Sequence, residues 1–238
     1  MKTITVHRAF EMGIAMLLLA VTAFPAQMDS RLGQMQQQMN QLQQAQRQNA
    51  EALRQYTWKS RTEIRKGGET KNVQLSVMRY DAYGSLQKTP ISSSPQQQLP
   101  THGIRGLVAQ RKKENFMETL EGLASVAKAY SELSPDAMKL FMSTASFTPE
   151  MGPQQKLFRI TGSNVLQPGD SMTIWVDAVS RKQRRVEIHT SFDRKPVRIV
   201  SDFQDLQMGP TYMAHSAVDY PSEEMTVITE NFDYDRVR

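Results

Sequence analysis

Outside the first 23 residues, the side chains best suited to acid–base or metal chemistry are His102, His189 and His215. His189 and His215 fall on predicted strands with no repeated carboxylate spacing, so their pattern does not build a metal site. The serines near them lack a nucleophile-elbow motif, and residue types alone do not make a triad. Asp177, Glu187, Asp202 and Asp205 are the carboxylates that could pair for general acid–base work. They alternate with apolar residues, as exposed charges on strands do. Lys66-Gly67-Gly68 is the nearest approach to a phosphate loop, and it reads as a hairpin turn. The 238 residues include no cysteine, which removes disulfides, a thiolate nucleophile and an acylatable lipoprotein cysteine. The basic runs lack interleaved exposed aromatics, so nucleic acid is not an expected partner. These residues predict no enzyme, no cofactor and no metal site. Function must then lie in the shape and polarity of a surface.

The stretch that organises such a surface is Asp170–Phe192. Met172, Ile174 and Val176 alternate with Thr173, Trp175 and Asp177; after a polar break at Ser180–Gln183, Val186, Ile188, Thr190 and Phe192 alternate with Arg185, Glu187, His189 and Ser191. Period-two patterning on both sides of a turn predicts a β-hairpin with one buried face. A hairpin cannot bury that face alone, so more strands or a covering helix are required.

The N-terminus resembles an export signal. Lys2 and Arg8 precede the uncharged apolar run Met12–Phe24, and Val21-Thr22-Ala23 offers small residues for cleavage, which predicts a signal peptide over 1–23. The run is short for a transmembrane span. With Glu11 beside it, an uncleaved inner-membrane anchor is the alternative, and a buried N-terminal helix a third reading. The formal charge is +5, and removing Lys2, Arg8 and Glu11 takes away +1 to leave +4. A hydrophobic content of 39% suffices for a core but is low for a membrane protein. Export without cysteine suits a periplasmic location.

Residues 24–55 predict a Gln-rich helix. Met28, Leu32, Met35, Met39 and Leu42 keep a four-three spacing that Leu53 rejoins, a narrow coiled-coil-like seam. Gln46 and Asn49 interrupt it, and Gly33 weakens its first turn. It serves either as an arm for self-association or for gripping a partner, or else as a helix packed on its own domain or a semi-ordered spacer.

Residues 56–238 predict one domain. Tyr56–Arg65, Asn72–Tyr80 and Leu86–Ile91 form a meander through turns at Lys66–Glu69 and Asp81–Gly84. Tyr56, Trp58, Ser60, Thr62 and Ile64 share one face of the first strand; Val73, Leu75 and Val77 share one face of the second. Ser92–His102 is a polar linker. A helical insert follows over about 103–148. Phe116, Leu120, Leu123, Ala127 and Tyr130 face one way on its first helix. Ser134-Pro135 caps a second helix with Met138, Phe141, Met142 and Ala145 as its stripe, and Phe147–Gln155 closes the insert. From Lys156 the chain is β again: Lys156–Val165, the hairpin, Val197–Leu206, Thr211–Tyr220 and Met225–Tyr234. About nine strands, three then six, predict a mainly β (α+β) fold: a curled antiparallel sheet, a half-open β-barrel with the helical insert as lid.

Three stretches carry a family resemblance. The helix leading into YTWKSRTEIRKGGETK and MRYDAYGSLQKTPI, the hairpin MTIWVDAVSRKQRRVEIHTSFDRKPV, and the closing FQDLQMGPTYMAHSAVDYPSEEMTVITENFDY together resemble the outer-membrane lipoprotein-sorting, LolA/LolB-like superfamily over Gln48 to Tyr234. The resemblance implies an unclosed barrel capped by helices, whose apolar concave face holds acyl chains of a lipid or lipoprotein; such proteins are carriers or sensors. The wall it implies is Trp58, Val73, Leu75, Val77, Met172, Ile174, Val176, Val186 and Ile188. Its lid is Leu120, Leu123, Met138, Phe141 and Met142. Two basic clusters, Lys59, Arg61, Arg65 and Lys66, and Arg181, Lys182, Arg184 and Arg185, are candidates for anionic head groups at a membrane surface; a solvated outer face is their commoner explanation. The rival function is an envelope scaffold that oligomerises through residues 27–55.

Overall fold

Among the described residues, ten strands form a single antiparallel sheet that curls without closing. The computed structural model describes residues 44, 47–93, 103–151 and 156–237. The apolar N-terminal run, most of the Gln-rich stretch and His102 lie outside them. In chain order the elements are β1 (Tyr56–Lys66), β2 (Glu69–Tyr80), β3 (Leu86–Ser93), α1 (Gly103–Ser131), α2 (Pro135–Thr144), β4 (Ser146–Met151), β5 (Lys156–Ser163), β6 (Ser171–Asp177), β7 (Gln183–Phe192), β8 (Lys195–Asp205), β9 (Thr211–Tyr220) and β10 (Met225–Arg236). The spatial order is β3-β2-β1-β10-β9-β8-β7-β6-β5-β4. The last strand returns to pair with the first, so the two strand groups become one sheet with the helices inserted between β3 and β4.

One boundary differs from the sequence pattern. Ser146–Met151 is a strand, not the tail of the helical insert, which makes the second group seven strands rather than six. The prolines mislead there. Pro149 sits on β4, an edge strand of the sheet, the kind of strand that tolerates proline. Pro90 on β3, the opposite edge, is tolerated for the same reason.

Alternation fixes the two faces. Ile160, Ile174, Val186, Ile188, Ile199, Val218 and Met225 are buried on the concave side. The convex side carries Arg159, Trp175, Arg185, Glu187, Arg198, Asp219 and Glu230, tied by ion pairs such as Arg198–Glu187 (2.8 Å) and Arg159–Glu150 (3.1 Å). Its most buried charge is Glu63, held by Arg65 and Arg61 (2.5 Å each) and by the Thr70 hydroxyl (2.8 Å). Those hydrogen bonds, Arg65 first, pull its carboxyl down to about 2.

Two helices cover part of the concave face. On α1, Leu120, Leu123, Ala127 and Tyr130 are buried at three- and four-residue intervals, one stripe of the helix. Ser134 caps α2, its hydroxyl accepting from the Ala137 N–H at 3.2 Å, with Pro135 at the first helical position. Met138 and Phe141 then face the sheet. Gly162 on β5 makes room for Phe141: a Cβ there would lie 2.6 Å from the ring and 2.7 Å from the Phe141 carbonyl. Gly122 on α1 meets Phe192 in the same way, at 2.2 Å.

Residues 47–53 are helical. Asn49, which breaks the apolar seam of the sequence, has a structural use. Its side chain donates to the Thr211 carbonyl (2.9 Å) and accepts from the Thr211 N–H (2.8 Å), docking this turn on the start of β9.

Candidate functional site

The concave face and its helical cover form the candidate site. Leu120 and Leu123 of α1, Met138 and Phe141 of α2, Met172, Ile174 and Val176 of β6, and Val186 and Ile188 of β7 come together in one buried apolar cluster, with Met142 half-buried against it. Tertiary packing thus brings the hairpin and both helices of the expected lid into contact. Burying a side chain of this size is worth about 1.5–3 kcal/mol, so the cluster holds the helices on the sheet.

The expected wall on the first strands is only partly there. Trp58 faces inward, opposite Met78. Val73, Leu75 and Val77 do not share its face: they pair with Glu63, Arg61 and Lys59 on the convex side, where they are half-buried. The inward residues of β2 are instead Gln74, Ser76 and Met78. Apolarity alone chose the wrong face, because β2 puts valine and leucine outside, beside the Glu63 ion-pair cluster.

Trp58 also belongs to a second group. Two residues of β10, Asp233 and Tyr234, oppose Trp58 alone on β1, and Asp233 has φ +52°. This β-bulge re-aims the local side chains. Trp58 stacks on Tyr234 (5.4 Å, 8° between planes) and meets Tyr80 at 5.7 Å; Tyr212 lies 4.3 Å from Tyr234. No short-range pattern links these rings, since the bulge and a long-range strand pairing assemble them.

At the opposite end of the strands, a polar knot ties α1 to the sheet. The Tyr130 hydroxyl donates to Asp170 and lies 2.8 Å from Thr190 Oγ1. Asp170 also accepts the N–H groups of Val165 (2.6 Å), Leu166 (2.9 Å) and Gln167 (3.0 Å). Burial raises the Asp170 carboxyl, but these donors outweigh it and hold it below the ordinary value. Burial, then the bond to Asp170, pushes the Tyr130 phenol up. Beside the knot, Gln167, Pro168, Thr190, Ser191, Arg194 and Pro196 line a surface pocket of about 300 Å³.

The residues singled out for chemistry are placed apart. His189 lies 3.0 Å from Glu187 and His215 lies 3.7 Å from Asp202, both on the convex side. Asp177 caps its own turn, accepting from the N–H groups of Val179 and Ser180. Asp205 pairs with Arg184 (3.0 Å) and Lys182 (3.2 Å), and Asp202 with Arg185 (3.1 Å). Lys59 and Lys66 likewise meet Asp233 (2.9 Å) and Glu223 (2.8 Å). Most of the two basic clusters is therefore engaged within the chain. Among the described residues no group of three or more His, Cys, Asp or Glu could hold a metal ion, and no helix is long and apolar enough to cross a membrane.

The architecture is an open antiparallel half-barrel with its apolar side covered by two inserted helices. Three solved structures align with most of the chain. A LolA superfamily protein from Nitrosomonas europaea matches with a TM-score of 0.37 at 10% identity, covering 81% of this chain and 93% of that one. A domain assigned to outer membrane lipoprotein sorting from Vibrio parahaemolyticus matches at 0.37 and 10%, covering 82% and 89%. A DUF1329 family protein from Desulfovibrio piger matches at 0.33 and 9%, covering 79% and 90%. No protein-family model matches the chain, and no curated protein does.

Proposed function

We propose that this chain is an exported envelope protein that holds an acyl chain of a lipid or lipoprotein against its concave face, as a carrier or sensor. One observation carries the reading. The continuous apolar stripe from Ile160 through Ile174, Val186, Ile188, Ile199 and Val218 is covered by an inserted pair of helices rather than by a second sheet. A helical pair can lift as a unit while the ladder of the sheet stays intact. An acyl chain can then replace the apolar area that the helices withdraw. At about 0.8 kcal/mol per buried methylene, a long chain supplies roughly 10 kcal/mol gross. Release to an acceptor needs a surface that adapts rather than one cut to a single guest. Met138, Met142 and Met172 on the two sides of the contact suit that, because methionine repacks easily. The export-like N-terminus and the sequence resemblance support the periplasmic location.

The test is direct. Full-length protein purified natively is extracted and analysed by mass spectrometry for lipid, and the delipidated protein is titrated with a fluorescent fatty acid. Co-purifying acyl lipid and saturable uptake of the probe are expected. Protein that carries no lipid and takes up no probe would overturn the reading.

A further inference from the structure

The concave face changes character between its two halves. Following cross-strand pairs from Val186 on β7, one row runs Ser201, Ser216, Thr229, Thr62, Gln74 across β8, β9, β10, β1 and β2. The neighbouring row carries Asn231, Ser60 and Ser76 on β10, β1 and β2. Ser60, Thr62, Ser76, Ser216, Thr229 and Asn231 are all buried. Hydroxyls and amides in such places are unfavourable unless they find partners.

Some do. Ser201 and Ser216 hydroxyls lie 3.0 Å apart, and Asn231 Nδ2 donates to the Met213 carbonyl at 3.0 Å. Three do not. Ser76 Oγ, Asn231 Oδ1 and Trp58 Nε1 have no hydrogen-bond partner among the described residues. Their residues are 0%, 5% and 3% exposed. They stand close together, since Ser60 pairs with both Ser76 and Asn231 and lies two residues from Trp58 on the same face. The group offers a hydroxyl, a bare acceptor and a bare donor.

A cation completes it. Lys88 on β3 pairs with Met78, and its ammonium reaches back past Ser76 to donate to Gln74 Oε1 at 2.8 Å. Among the described residues it meets no carboxylate, unlike the basic residues of the convex side. Two residues further along this face, Thr62 gives way to Ile64, and the row Ile64, Val227, Val218, Ile199, Ile188 is apolar.

We propose that the hydroxyl- and amide-lined half of the concave face, centred on Ser76, Ser60 and Asn231 with Trp58 and Lys88 at its border, binds the anionic, hydroxylated head group of a phospholipid. The lone ammonium takes the phosphate as a point charge. Glycerol hydroxyls, each able to donate and accept, match the unpartnered Ser76 hydroxyl, Asn231 carbonyl oxygen and Trp58 N–H. Acyl chains leaving that head would run onto the adjacent apolar row. The proposal rests on the acyl-binding reading and adds selection of the head.

The experiment titrates the full chain with short-chain phosphatidylglycerol, with phosphatidylcholine of the same chains, and with free glycerol phosphate, by calorimetry. The two lipids share the phosphate, but phosphatidylcholine adds a cation that Lys88 repels and has no glycerol hydroxyls to offer. Phosphatidylglycerol is therefore expected to bind about tenfold more tightly, the scale of one good hydrogen bond. S76A and K88M should each erase much of that preference, with Tm unchanged or raised, because each removes a group that lacks its full partner in the free protein. Equal binding of the two lipids overturns the head-group site and leaves the acyl reading standing. Binding of neither overturns both. Free glycerol phosphate bound as tightly as the lipid overturns the lipid assignment in favour of a soluble polyol phosphate. A preference unmoved by both substitutions, or a lowered Tm in S76A, means these groups serve the fold and overturns the proposal.

Discussion

The phenol of Tyr130, in the last turn of α1, donates to the carboxylate of Asp170 at the end of the β5–β6 turn, 40 residues away in sequence. This is the polar point at which the helical cover is fastened to the hairpin that organises the sheet. The same carboxylate collects three backbone N–H groups from residues 165–167, so the knot also sets the shape of the turn.

Y130F leaves those three backbone bonds in place and removes the one from the helix. The loss of a buried donor to a charged acceptor is expected to lower stability by about 1–3 kcal/mol. The specific consequence is local. Amides of Leu120–Tyr130 should exchange faster while those of β6 and β7 hold, because opening of the helices precedes unfolding of the ladder. Hydrogen exchange by mass spectrometry reads this, and unchanged protection of α1 would remove the fastening role. The phenol also sets an alkaline limit. Its folded pKa is raised above the ordinary 10.0, so its share of stability is present below that pH and lost as pH rises beyond it.

The close approach of Gly122 to Phe192 makes a second prediction. An alanine Cβ would stand 2.2 Å from the Phe192 ring, which itself meets buried Tyr220 at 5.9 Å. Alanine favours a helix interior over glycine by roughly 1 kcal/mol, yet overpacking costs about 1–3 kcal/mol. The clash should win, and G122A should melt lower than the parent. F192L opens the space, so the double variant G122A/F192L should lose less than the sum of the two singles. Strict additivity in thermal melts would refute the contact.

The hairpin, the strand meander and the two amphipathic helices are legible in the sequence because each is a local periodicity. Met172, Ile174, Val176, Val186 and Ile188 announce their common face by alternation alone. What is not legible depends on pairing across long separations. Val73, Leu75 and Val77 look like wall residues, but the sheet register turns them outward and leaves Ser76 inside. Lys88 and Asn231 are unremarkable on their own strands; β10 returning to β1 puts Asn231 beside Ser60, and the β2–β3 hairpin brings Lys88 to Gln74. Pro149 conceals an edge strand for the reason that edges accept proline.

Glu63 governs the acid side. Its carboxyl is lowered to about 2 from an ordinary 4.5 by Arg65, Thr70 and Arg61. A depressed folded pKa contributes stability that is fully present above 4.5 and is lost as pH falls through about 2. E63Q keeps the size and removes the titration. Denaturant melts should show the parent losing more stability than E63Q between those two values, with E63Q already weaker at neutral pH. Parallel pH profiles would show that the three contacts do not discriminate between the charged and neutral acid.

Lys88 should act in the opposite direction at the alkaline side. Burial lowers its ammonium to about 8 from 10.5. Above about 8 the folded protein releases this proton while the unfolded chain keeps it up to about 10.5, so the unfolded state binds more protons and stability rises across the interval. The groups facing it do not cancel the effect. Gln74 is its hydrogen-bond partner, Met78 its cross-strand neighbour and Trp58 lies beyond Met78, all uncharged. Arg79 pairs with Thr57 on the other face, and Asp81 is engaged by Gln87 at 2.8 Å. Denaturant melts between pH 8 and 10, below the range where Tyr130 titrates, should show the rise in the parent and not in K88M. An anion bound at the ammonium stabilises its charged form and shifts the onset to higher pH. The same melts with saturating short-chain phosphatidylglycerol should therefore show the rise delayed, and phosphatidylcholine, whose choline cation offsets its phosphate, should delay it less. A rise of equal size in K88M would show that the buried ammonium is not its source.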